Sequence, residues 1–150
     1  MREILFRGKR IDNGKWAYGY LIEQDNPEYH TYITRNFLAE IDKENIDVTN
    51  LDIVEVEAKT VGQYTGMVDK NGTKIFEGDI VDFLYRSDGD DYGIVQYDVD
   101  ETEFGFVYNL IYDGLGRHYH SRDIEVIGNI YDNQELLGDE NNYGKRIKNP

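Results

Sequence analysis

The chain has 150 residues and a formal net charge of −14, from 30 acidic and 16 basic side chains, with no cysteine. That composition excludes disulfides and thiolate zinc sites, and the carboxylate excess opposes long-range attraction to nucleic acid or anionic lipid. The first apolar stretch, Ile4-Leu5-Phe6, is too short for a signal-peptide core, and nothing later approaches the ~20 apolar residues of a membrane span; a cytoplasmic protein is expected.

In chain order, Ile4 and Phe6 start a first strand, and Asp12-Asn13-Gly14 is a turn signal joining it to a second as a hairpin. In that second strand Trp16, Tyr18, Tyr20 and Ile22 recur at period two, which predicts a half-buried strand with this face as core. After Pro27, His30 to Ile33 reads as a third strand. Phe37 to Ile41 fits a short helix or a strand, and Ile53 to Glu57 a further strand.

From residue 60 the alternation sharpens. Thr60 to Gly66 leads into Asp69-Lys70-Asn71-Gly72 and then Lys74 to Glu77, a hairpin whose turn carries the two residues most tolerant of positive φ. Asp69 and Asn71 imitate the start of a calcium loop, but the twelfth position holds Ile80 where a bidentate Glu is required, so turn chemistry is expected. Strands follow at Gly78 to Tyr85, Tyr92 to Tyr97, Phe104 to Tyr108 and Ile124 to Ile130, with a helical turn at Asp132 to Leu137. Short strands spaced by glycine-bearing turns predict a small SH3-like barrel or roll. The whole is therefore expected to be mostly β, with a β-rich N-terminal part over 1–58, an SH3-like barrel over 59–137 and a flexible polar tail over 138–150. Thirteen Tyr, six Phe and one Trp agree with strand-rich structure.

The residues Arg2 to Arg10 with Gly14 to Gly19, then Thr60 to Gly66, Asp69 to Gly72 and Ile75 to Val81, then Glu125 to Tyr131, resemble in order and spacing the YopX family, small proteins of prophages and bacteriophages. The likeness spans most of Arg2 to Leu137 and is faint between Glu23 and Asp52. It implies a β-rich N-terminal part, a C-terminal SH3-like module and action inside a bacterial host. It supplies no catalytic residues and no cofactor.

The residues themselves offer several chemistries. His118 and His120, on a strand, would stand on one side about 6.5–7 Å apart and with His30 or a carboxylate could hold a divalent metal for hydrolysis; two exposed histidines beside a turn is the simpler account. Ser87 and Ser121 lack a nucleophile-elbow setting, and the carboxylates lie in polar runs with no apolar pocket to split their pKa values. Seven carboxylates fall in residues 40–57 against Lys43 alone, and seven in 87–103 with no base. Such runs are ordinarily solvated faces; the functional alternative is an acidic mimic of nucleic acid that inhibits a basic host protein. The basic residues Arg2, Arg7, Lys9, Arg10 and Lys15 beside Trp16 would suit nucleic-acid stacking, which the overall charge opposes. Finally, Trp16, Tyr18, Tyr85, Tyr92 and Tyr97 are the candidate binding surface, because tyrosine and tryptophan offer large contact area at little entropic cost. The expected function is a non-enzymatic module that binds a host or phage protein or its own copies.

Overall fold

The structure is a computed structural model that describes residues 1–24, 28–35 and 52–138. The expected segment at 37–41, most of the first acidic run and the tail from residue 139 lie outside the described residues. The chain divides into two compact units, Met1–Tyr64 and Thr65–Pro150, and passes from one to the other within a strand. Among the described residues every regular element is a strand or a short 3-10 turn, and the strands form two antiparallel sheets.

The first unit contains β1 (Phe6–Lys9), β2 (Trp16–Gln24), β3 (His30–Thr34), β4 (Ile53–Glu55) and the start of β5 (Gly62–Val68). Their order is β4-β3-β2-β1-β5. The turn between β1 and β2 forms where Asp12-Asn13-Gly14 signals it: Gly14 adopts φ 69°, and the Arg10 N–H donates to the Lys15 carbonyl at 2.9 Å. In β2 the alternation is as expected but the buried face is the opposite one. Ala17 and Gly19 point inward, while Tyr18 and Tyr20 remain 45% and 39% exposed. Close approach of neighbouring backbone explains the inversion. A Cβ at Gly19 would collide with the Thr34 carbonyl oxygen, and one at Gly8 would stand 2.9 Å from Val56 Cγ2. Only small residues fit there, so the large aromatics are carried on the other side. The core is Ala17, Ile33 and Val56 with Phe6, Val54 and Val61 packed against it.

The second unit continues β5 into β6 (Lys74–Phe76), then β7 (Asp79–Phe83), β8 (Gly93–Asp98), β9 (Glu103–Tyr108), β10 (Ile111–Gly114) and β11 (Ile124–Asn129). The last five form an antiparallel sheet in the order β10-β9-β8-β7-β11. The expected barrel is not closed, since among the described residues no ladder joins β10 to β11. After Gly114 the chain runs through an isolated Leu115–Tyr119 bridge and a 3-10 turn at Ser121–Asp123, and enters β11 beside β7 instead. A second 3-10 turn, Gln134–Leu136, stands where a helical turn is expected.

Ile75, Val81, Phe83, Val95, Phe106 and Ile124 form the core of this unit. Phe106 is fully buried at the centre of an aromatic group, its ring centroid 4.8 Å from Phe83, 5.9 Å from Tyr108 and 5.0 Å from Tyr119. Asp69 pins the β5–β6 turn to β11. It is buried, and its carboxylate accepts the backbone N–H groups of Asn71 at 2.8 Å, Thr73 at 2.9 Å and Val126 at 2.9 Å. Those three donors occupy both oxygens, which makes Asp69 a turn residue.

Candidate binding surface

The β7–β8 loop and the β9–β10 turn lie at the same end of the second sheet, because β7 and β9 both run toward it. Side-chain hydrogen bonds join them: the Asp91 N–H donates to Asn109 Oδ1 at 3.1 Å, and Asn109 Nδ2 donates to Asp90 Oδ1 at 2.9 Å. The loop is further braced by Arg86, whose Nε donates to Asp82 Oδ1 at 2.7 Å and whose guanidinium lies 4.1 Å from the centre of the Tyr92 ring. The hydrogen bond to Asp82 raises the Arg86 pKa above its ordinary value, so the bracing charge is permanent.

Three residues on this braced end have unusual backbones. Tyr85 has φ 71° in the turn closed by the Arg86 N–H on the Phe83 carbonyl at 3.1 Å. Asn109 and Leu110, at φ 46° and 67°, make the two-residue connection between β9 and β10. Such turns favour Gly at the positions held by Tyr85 and Leu110, since an L side chain in the left-handed region costs about 1–2 kcal/mol. Neither side chain recovers that cost by burial. Tyr85 is 87% exposed and Leu110 70%, with Leu84 at 46% and Ile111 at 51% beside them. Large apolar groups are thus held out from a rigid base in strained conformations.

Next to Leu84, a shallow groove of about 200 Å³ is lined by Lys70, Asp82, Arg122, Asp123 and Glu125 among others. Lys70 pairs with Glu125 and Arg122 stands 3.6 Å from Asp123, so its walls are largely self-compensated.

The five aromatic candidates are divided between the two units. Trp16 and Tyr18 share β2 of the first unit, where the Arg7 guanidinium lies 4.7 Å from the Trp16 ring centre and the Lys9 ammonium 5.8 Å. Tyr85 and Tyr92 belong to the braced loop. Tyr97 lies further along β8, edge-on to Phe104 at 5.1 Å. Leu84, Leu110 and Ile111 escape sequence reasoning, because an apolar residue adjoining a strand is indistinguishable from core until the turn is placed.

The histidines are separately engaged. His118 lies in a turn with Nδ1 3.3 Å from Asp113 Oδ1, and the His120 backbone N–H donates to Asp123 Oδ2 at 2.9 Å. His30 Nδ1 meets Glu55 Oε1 at 2.7 Å in the first unit. His118 stands in a turn and His120 just after the Tyr119 bridge residue, both exposed, so no strand aligns the two imidazoles at this point. Among the described residues no three His, Asp or Glu side chains gather as a metal site. The second acidic run is also divided: Asp88, Asp90 and Asp91 precede β8, whereas Asp98 ends that strand of about 20 Å and Asp100 and Glu101 follow it. Glu101 and Glu103 share Arg117. Tyr108 and Tyr119 have raised pKa values, chiefly through burial, and burial with the charges of Glu103 and Asp98 pushes Tyr112 up to about 12. These phenols stay protonated at neutral pH.

The fold and this end together define a small all-β protein that displays apolar loops on an open antiparallel sheet. The model of the YopX protein family matches residues 5–138, and the chain belongs to the YopX family. It is similar to the crystal structure of protein EF1440 from Enterococcus faecalis, with a TM-score of 0.55 and 22% sequence identity, covering 91% of this chain and 99% of that one. At that identity the likeness concerns the fold alone. No curated protein matches. Among the described residues no helix is long and apolar enough to cross a membrane.

Proposed function

We propose that the chain is a non-enzymatic protein-binding module of a phage or prophage, acting in the cytoplasm of its bacterial host. Its second unit, an SH3-like roll, would engage the partner through the β7–β8 loop and the β9–β10 turn. One observation carries this reading: Tyr85 and Leu110 are large, exposed and held at positive φ, where a glycine would be less strained. Strain of this kind persists where the surroundings over-determine it, and it concentrates at functional contacts. Family membership supports the setting.

The test is the Tyr85→Gly/Leu110→Gly double variant. Relief of left-handed strain offsets the extra freedom glycine gives the unfolded chain, so stability should stay within about 1 kcal/mol of wild type or rise. Meanwhile the partner captured by tagged wild-type protein from bacterial lysate, or self-association seen by sedimentation, should disappear. A large loss of stability would mean that the two side chains hold the fold, and the reading would fail. It would fail equally if wild type neither captured a partner nor self-associated.

A further inference from the structure

Resting on that reading, we infer that the occupant of this end is a basic segment of another protein that brings its own apolar anchor against Tyr85 and Leu110. The charge around the apolar tips decides the partner's chemistry. Asp88, Asp90 and Asp91 stand in the same loop as Tyr85, and its one base, Arg86, is already committed to Asp82 and Tyr92. The β9–β10 turn adds no charge. Behind the tips, Asp113 and Asp90 add negative charge near Tyr108, whose pKa burial first and then these carboxylates raise.

A partner must match both features. Apolar contact with Leu84, Tyr85, Leu110 and Ile111 supplies the desolvated centre, and lysine or arginine at the margin meets the aspartates. An acidic segment would be repelled, and a second copy of this chain carries the same net charge of −14. Nucleic acid is repelled for the same reason. A purely electrostatic decoy would require a continuous acidic face, whereas the second acidic run is split by β8.

A displayed library of short random peptides, panned on the full chain, tests this directly. Enriched peptides should carry net positive charge together with an aromatic or aliphatic residue. Their affinity should fall about tenfold or more in Tyr85→Gly/Leu110→Gly, and by a similar factor in Asp88→Lys or on raising the salt from low to well above physiological concentration. Neutral or acidic peptides that still lose affinity in the double glycine variant would overturn the charge assignment and leave the binding-module reading standing. Absence of any peptide that depends on Tyr85 and Leu110 would overturn both.

Discussion

Replacing Asp69 by Ala is expected to destabilise the protein by about 2–4 kcal/mol, because it removes the acceptor of three backbone N–H groups at once. Two of those donors, Asn71 and Thr73, belong to the β5–β6 turn, and the third, Val126, belongs to β11, so the loss would loosen both the hairpin and its attachment. Asp69→Asn should fall between wild type and Ala, since one carboxamide oxygen can still accept but the NH2 group opposes a backbone donor. The carboxylate also predicts an acid dependence. Burial alone would raise the Asp69 pKa, but the N–H groups of Val126, Thr73 and Asn71 outweigh it, and the folded-state value lies below the ordinary one. A group whose pKa is depressed on folding contributes stability above its unfolded value of about 3.9, and that contribution is lost as pH falls through the folded value. Urea denaturation from neutral pH down to about pH 2 should therefore show wild type losing more stability below about pH 4 than Asp69→Asn does. Parallel curves for the two proteins would contradict the assignment.

Phe106→Ala should cost more, about 3–5 kcal/mol. Phe106 is fully buried and its ring touches those of Phe83, Tyr108 and Tyr119, so truncation leaves a cavity that stiff aromatic neighbours cannot collapse into. A domain of ordinary stability, about 5–15 kcal/mol, would lose a large share of it. Phe106→Leu keeps most of the volume and should cost roughly 1–2 kcal/mol. The site has a second reporter. A Cβ at Gly93 would stand 2.5 Å from Phe106 Cδ2 and 2.9 Å from Val81 Cγ2. Gly93→Ala should therefore be harmful in wild type and less so beside Phe106→Ala, a coupling that a double-mutant cycle by chemical denaturation would measure. Additive effects would show that the two positions do not share space.

Much of the β architecture is readable from the residues, and the reasons differ by element. The Asp12-Asn13-Gly14 and Asn71-Gly72 turns announce themselves, because Gly14 and Gly72 adopt the positive φ that glycine takes up without steric cost. The strand at β10 has no such announcement. It begins after Asn109-Leu110, a turn of the kind that normally ends in Gly, and Leu110 reads as a core residue until its φ of 67° is known. Tyr85 is among the tyrosines expected at a binding surface, whereas the display of Leu110 at the same end of the sheet is hidden for the same reason. His118 and His120 show the converse: a motif legible in the sequence that the chain's turn at this point separates into two unrelated contacts.

Local patterning, then, determined where most strands and the glycine turns lie and that the protein is mostly β, while the resemblance to the YopX family rests on the order and spacing of its motifs. Side-chain alternation and positive-φ tolerance are properties of a few consecutive residues, so they survive without knowledge of the fold. Tertiary structure alone decided which face of β2 is buried, that β11 joins β7 while the sheet stays open, and that two loops with apolar tips lie at one end of the second sheet. Each of these depends on how closely distant backbones approach, as Thr34 does at Gly19, and on hydrogen bonds such as Asn109 to Asp90 between residues far apart in the chain.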